Sequence, residues 1–177
     1  MENCFIVNTI KELVNKENYK YEDIAILYRK NYLSSIKDSL FLNKIPYIIN
    51  ENREKSFKIK SKKQFDDPYL NKIRKMLEEK RKELNNNKIK EQNKVLLTTI
   101  HQIKGLEFKI VFLIGFEQET FIDDFLHTID VKEERRLAYV AITRAKERLY
   151  ITVSKERMVY GDIMNLNPVI FLQEMGL

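Results

Sequence analysis

Arg144 stands where a charge is hard to accommodate. On a helix continued through it, Leu137 lies about 20° away, Val140 about 40° and Ala141 about 60°. A guanidinium on such an apolar face needs an anion, because an unpaired buried charge is costly. Three readings follow. Glu107 or Glu134 neutralises it, the side chain snorkels to solvent, or it serves a ligand. In the third case the chemistry is phosphoryl transfer, where a rigidly held arginine stabilises charge building on the transferred group. A second group is T-T-I-H-Q-I-K-G-L-E-F (98–108), which crowds Thr98, Thr99, His101, Lys104 and Glu107 into one connection around Gly105. Glycine there permits a turn or a close backbone approach to a ligand. Taken singly, each residue has an ordinary alternative: threonines of a strand, a surface histidine, a Lys104–Glu107 ion pair.

The same inventory excludes several chemistries. The glycines are Gly105, Gly115, Gly161 and Gly176, and no G-x-x-x-x-G-K-[ST] loop can be assembled from them. An α/β domain without that loop, or an acidic strand beside it to hold Mg²⁺, lacks the usual means of nucleotide hydrolysis. His101 and His127 are far from Cys4 and from each other's helical turn, so no metal site is expected. There is no G-x-S-x-G elbow for acyl transfer.

The elements that must position these residues alternate in type. Phe5, Ile6, Ile10, Leu13 and Val14 recur at helical spacing and predict a helix ending near Asn18. IAILY (24–28) is a short apolar run suited to a buried strand. Leu33, Ile36, Leu40 and Phe41 predict a helix that stops before Pro46, and YIIN (47–50) a strand, giving a βαβ unit. VLLTTIH (95–101) and KIVFLIGF (109–116) read as strands, and 117–132 as acidic and irregular. EERRLAYVAITRAKE (133–147) reads as one helix with Glu133 and Glu134 at its favourable amino end, followed by a strand at 148–154. A last helix begins near Asn167-Pro168, burying Phe171, Leu172 and Met175. This alternation predicts an α/β fold, a mostly parallel sheet with helices on both faces.

Between these halves, 51–94 departs from the pattern. It holds 15 Lys/Arg against 8 Asp/Glu, so the chain's +6 belongs to this segment and the remainder sums to −1. Asp66-Asp67-Pro68 predicts a helix start there, and Asn85-Asn86-Asn87 a stop. The segment is expected to be a basic helical arm or linker interrupting a domain built from 1–50 and 95–177. No apolar run suggests a membrane span, the amino-terminal residues do not read as a signal peptide, and the single Cys4 suits the cytoplasm.

Taken together the motifs have a family likeness. TTIHQIKGLEFKIVFLIGFE resembles motif V of the UvrD/Rep/PcrA superfamily 1 DNA helicases, and EERRLAYVAITRAKERLYI resembles their motif VI. DIAILYRKNYLSSIKDSLFLNKIPYII resembles the segment that opens the family's second motor domain. The resemblance implies a RecA-like, P-loop-NTPase-type domain that lacks the P-loop itself, the C-terminal motor half of an ATP-dependent 3′–5′ DNA helicase. It implies that Arg144 reaches the γ-phosphate and that Glu107, with Gly105, lies near the ribose. Thr99 and His101 match positions that touch or sense the single-strand backbone, and Arg29 and Asn31 match a Y-R-x-N segment near DNA. ATP with Mg²⁺ would be held mainly by a P-loop-containing first domain, in cis or in trans, so this chain alone is expected to be inactive. Two departures stand out. Ser35 replaces the family's usual arginine, and Thr120-Phe121-Ile122 replaces a Gly-x-Phe-Pro turn, so the loop before motif VI is expected to differ in shape. Residues 51–94 occupy the place of the large accessory insertion. The rival reading is a non-catalytic DNA- or protein-binding remnant of a split helicase.

Overall fold

A computed structural model describes residues 2–29, 33–50, 93–103, 105–122, 130–159 and 162–176. The expected arm at 51–94 lies almost wholly outside the described residues, as do Asn31, Lys104 and His127. Residues 1–51 and 93–177 together form one compact unit.

The first helix, α1 (Glu2–Lys16), buries Ile6, Val7, Ile10 and Leu13 on one stripe. It ends where Asn18 takes a left-handed φ of 62° and Tyr19 N–H donates back to the Leu13 carbonyl at 3.2 Å. Strand β1 (Ile24–Tyr28) is buried along its whole length, which explains why its sequence shows no polar alternation. Helix α2 (Leu33–Leu42) is closed by Lys44, whose φ is 57°, and by Ile45 N–H donating to the Leu40 carbonyl at 3.0 Å. Pro46 then begins β2 (Tyr47–Asn50).

After the interruption come β3 (Val95–Thr99), β4 (Phe108–Ile114) and the short α3 (Gln118–Phe121). They are followed by α4 (Val131–Ile142) and β5 (Ala145–Ile151). Strands β6 (Glu156–Val159) and β7 (Asp162–Asn165) form a separate antiparallel pair, and α5 (Ile170–Glu174) closes the described chain. The main sheet has the order β2-β3-β1-β4-β5, with every pairing parallel. Thus β1 and β2 are not neighbours: β3 lies between them. The chain is a RecA-like α/β domain.

Alternate residues of the central strands point to opposite faces. Ile24, Ile26, Ile110 and Phe112 join Ile6, Ile10, Leu13, Ile36 and Leu40 in one apolar layer, beneath α1 and α2. Ala25, Leu27, Val111 and Leu113 join Ile100, Ile103, Phe116, Phe121, Ala138 and Phe171 in the other. The sheet is therefore covered on both sides, as the strand–helix alternation predicts.

Three local expectations are corrected. The helix expected over 133–147 stops at Ile142, and β5 starts at Ala145. Thr143 has φ −72° and ψ −1°, and Arg144 N–H donates to the Ala141 carbonyl at 3.2 Å, so the chain turns here. Within 117–132, expected to be irregular, α3 forms and drives Phe121 into the core. Met175, expected to be buried, is exposed, because α5 ends at Glu174 and its buried anchor is Phe171.

Candidate functional site

Because β3 and β4 run in the same direction, the 100–107 connection must travel from the carboxyl edge of the sheet to its amino edge. Helix α4 makes the same journey, entering near the carboxyl edge and delivering the chain to β5 at the amino edge. The sequence-predicted residues consequently divide into two groups. A helix of this length separates Glu134 from Arg144 by about 15 Å along its axis.

At the amino edge, Phe108 N–H donates to the Arg144 carbonyl at 2.9 Å, and Phe108 pairs with Ala145. This register brings Gly105 and Glu107 beside Arg144. Gly105 has φ +87°, a left-handed conformation that L side chains avoid, and a Cβ built there would meet nothing within 4 Å. The glycine is thus needed for the backbone turn, and the space above it is open.

Arg144 is half-buried and held entirely by neutral oxygens. Nε donates to the Val140 carbonyl at 3.0 Å, Nη1 to the Leu106 carbonyl at 3.4 Å and Nη2 to Thr143 Oγ1 at 3.1 Å. Thr143 Oγ1 in turn donates to the Val140 carbonyl at 3.1 Å. One of the last four helical carbonyls, that of Val140, thereby acquires donors, and the guanidinium acquires an orientation. Its charge is not neutralised: among the described residues Arg144 forms no ion pair.

The carboxylates considered as its partners are engaged elsewhere. Glu107 pairs with Lys146 at 3.3 Å and Glu134 pairs with Arg29. Nearby cations also have acidic partners: Lys109 lies 3.1 Å from Asp23, and Arg148 pairs with Glu17 while lying over the Tyr19 ring. Hydrogen bonding from Arg148 holds the Glu17 carboxyl below its ordinary range, and the same contact raises Arg148. Arg144 differs from these neighbours in retaining an uncompensated charge at a fixed position.

At the carboxyl edge, Thr99 ends β3 half-buried and His101 follows it, exposed. Arg29 was expected near DNA, but its side chain is only 10% exposed and its ion pair with Glu134, itself 7% exposed, points inward. It also donates through Nη1 toward His101, 3.0 Å from Nε2. Arg29 is therefore half-buried beside the expected contact residues, between Glu134 and His101. Neither periodicity nor spacing linked Arg29 to Glu134, which are separated by 105 positions. Thr143 was also missed, since the helix expected to continue through it gave its hydroxyl no special task.

The wholly parallel main sheet thus carries Arg144 at its amino edge and Thr99 and His101 at its carboxyl edge. The chain belongs to the UvrD-like helicase C-terminal domain family, whose family model matches residues 49–156. Among its relatives is the ATP-dependent DNA helicase Rep of Buchnera aphidicola subsp. Baizongia pistaciae, 35% identical over 176 residues, covering 96% of this chain and 25% of that protein. ATP-dependent DNA helicases PcrA of Staphylococcus epidermidis and Staphylococcus aureus are 46% and 45% identical over 91 residues, 47% of this chain and 12% of theirs. The chain thus spans a quarter or less of the length of these relatives. No helix among the described residues is long and apolar enough to cross a membrane.

Proposed function

We propose that this chain is the C-terminal motor half of an ATP-dependent DNA helicase acting 3′ to 5′. In this reading a P-loop domain, in cis or in trans, holds ATP with Mg²⁺, and the amino edge of the sheet closes over it. Arg144 reaches the γ-phosphate, while Glu107, on the loop turned by Gly105, meets the ribose. At the opposite edge Thr99 and His101 contact the backbone of single-stranded DNA. Such backbone contact is salt-dependent and largely sequence-neutral. The observation that carries the reading is the uncompensated charge of Arg144, aimed by three neutral acceptors while neighbouring carboxylates pair with other cations.

The mechanism asks little new covalent chemistry of this chain. A preoriented guanidinium stabilises charge that develops on the transferred phosphoryl oxygens, and orientation achieved before the reaction need not be achieved during it. Hydrolysis should therefore require both halves. Combined with a P-loop domain from a Rep- or PcrA-type relative, the chain is expected to restore DNA-stimulated ATP hydrolysis. Arg144→Ala should lower that rate by about 10³–10⁵. Turnover surviving the substitution would remove the finger role, and DNA-stimulated turnover by the chain alone would overturn the division of labour.

A further inference from the structure

We propose that Tyr139 and Leu106 form an apolar seat beside Arg144 on which a nucleotide-bearing P-loop domain docks. The guanidinium then meets its phosphate in a site cleared of water. This rests on the two-half reading given above and names the residues through which the halves close.

Tyr139 lies in the body of α4, yet it is 69% exposed, and Leu106, on the connection from β3 to β4, is 45% exposed. Neither belongs to either apolar layer, although Ala138 and Ala141 of the same helix are buried there. Apolar side chains scattered singly over a surface need no explanation. These two are tied to one charge. Leu106 gives its own carbonyl to Arg144 Nη1. Thr143, whose Oγ1 accepts from Arg144 Nη2, donates its N–H to the Tyr139 carbonyl at 3.0 Å. The helical turn still closes there, which places Tyr139 about 40° from Thr143 around the axis. An exposed ring and an exposed leucine thus stand on the two elements that hold the guanidinium.

The charge decides what docks. Arg144 forms no ion pair among the described residues, while Glu107 is held by Lys146. A second copy of this chain would bring the same uncompensated cation and no anion to meet it. A P-loop domain carrying ATP brings both counterparts: the γ-phosphate for Arg144 and protein surface for the ring and the leucine. Tyrosine and arginine are the side chains that most often dominate binding when an interface desolvates them. Covering Tyr139 and Leu106 also displaces water from the guanidinium, and attraction between opposite charges strengthens as water leaves.

The test titrates the full chain into a P-loop domain of a Rep- or PcrA-type relative, with ATP and oligothymidylate present. Two quantities are read: the chain concentration that gives half-maximal hydrolysis, and the rate at saturation. Tyr139→Ser with Leu106→Ser should raise the half-saturating concentration by about tenfold or more, whereas Tyr139→Phe, which keeps the ring, should stay within about twofold of the parent. Ile163→Ser removes an apolar side chain on β7 that is more exposed still, and it should change neither quantity. Arg144→Ala instead lowers the saturated rate. Because the substituted side chains are exposed, thermal unfolding of each variant should match the parent. A double variant that keeps the parent's half-saturating concentration overturns the seat, and the motor-half reading survives if Arg144→Ala still abolishes turnover. Equal weakening by Ile163→Ser would reveal general surface adhesion and overturn the seat as well. A parent chain that does not stimulate the P-loop domain removes the motor-half reading and the seat together.

Discussion

Arg144 is legible in sequence as a charge among apolar neighbours, but the reason it is available is not. That reason depends on where Glu107 and Glu134 spend their charge, and their partners Lys146 and Arg29 lie 39 and 105 positions away from them. The same limit hides a second charged group. Arg157 Nη2 lies 2.9 Å from Glu2 Oε2, 2.9 Å from Glu117 Oε1 and 3.0 Å from Ser154 Oγ. Glu117 is fully buried and also accepts from Ser154 N–H at 2.8 Å. Burial pushes the Arg157 guanidinium down from its usual range, while Glu2 opposes that shift. The guanidinium thus ties the first turn of α1 to the segment after β4 and to the start of β6. Arg157→Met would leave two carboxylates close together without their shared cation. It should destabilise the domain by about 3–5 kcal/mol. Urea unfolding followed by circular dichroism checks this, and a loss below about 1 kcal/mol would show that the cluster behaves as a surface pair.

At the scale of elements, apolar runs locate β1, β3 and β4 well because fully buried parallel strands carry a nearly continuous hydrophobic signal. The sheet edge defeats the same reasoning. Strand β5 begins with exposed Lys146, Glu147 and Arg148, and charged residues suit an edge strand. Those charges resemble the polar face of a continuing helix, so the α4–β5 boundary is displaced in a reading from periodicity alone. The β6–β7 pair is likewise absent from that reading, since each strand has only four residues. At the carboxyl terminus, α5 is held to α4 by Phe171 and by the two-point contact of Arg135 with Glu174, at 2.8 and 2.7 Å. Hydrogen bonding from Arg135 holds the Glu174 carboxyl below its ordinary range. A depressed folded-state value means the contribution is present above the unfolded carboxylate value, near 4.3, and disappears as pH falls through the lower folded value. Hydrogen exchange of α5 amides should therefore accelerate as pH is lowered from about 6 to about 3, after correction for intrinsic rates. Glu174→Gln should remove this acid-dependent component. If the substituted helix retains the full pH dependence, another group controls its docking.

For the whole molecule, the arrangement of strands explains how one chain accommodates the long segment between β2 and β3. These strands are neighbours, with Tyr47 paired to Val95 and Asn50 to Thr98, and Val95 N–H donates to the Pro46 carbonyl at 2.9 Å. Their register belongs to the sheet itself. Among the described residues, both apolar layers draw their buried residues from 6–45 and 95–171. A parallel connection nevertheless has to cross from the carboxyl edge to the amino edge, which takes a dozen or more residues. Replacing 51–92 with a Gly/Ser linker of about 15 residues should therefore preserve cooperative unfolding of the remaining domain. The replacement also removes most of the basic excess seen in the sequence, making nucleic-acid affinity a separate and informative readout. If oligothymidylate is held at the carboxyl edge, log affinity against log salt should keep the parent slope to within about 0.7, the value for one single-strand phosphate contact. A larger fall would assign several phosphate contacts to 51–92 and make that segment, rather than the edge bearing Thr99 and His101, the principal electrostatic contact with the strand.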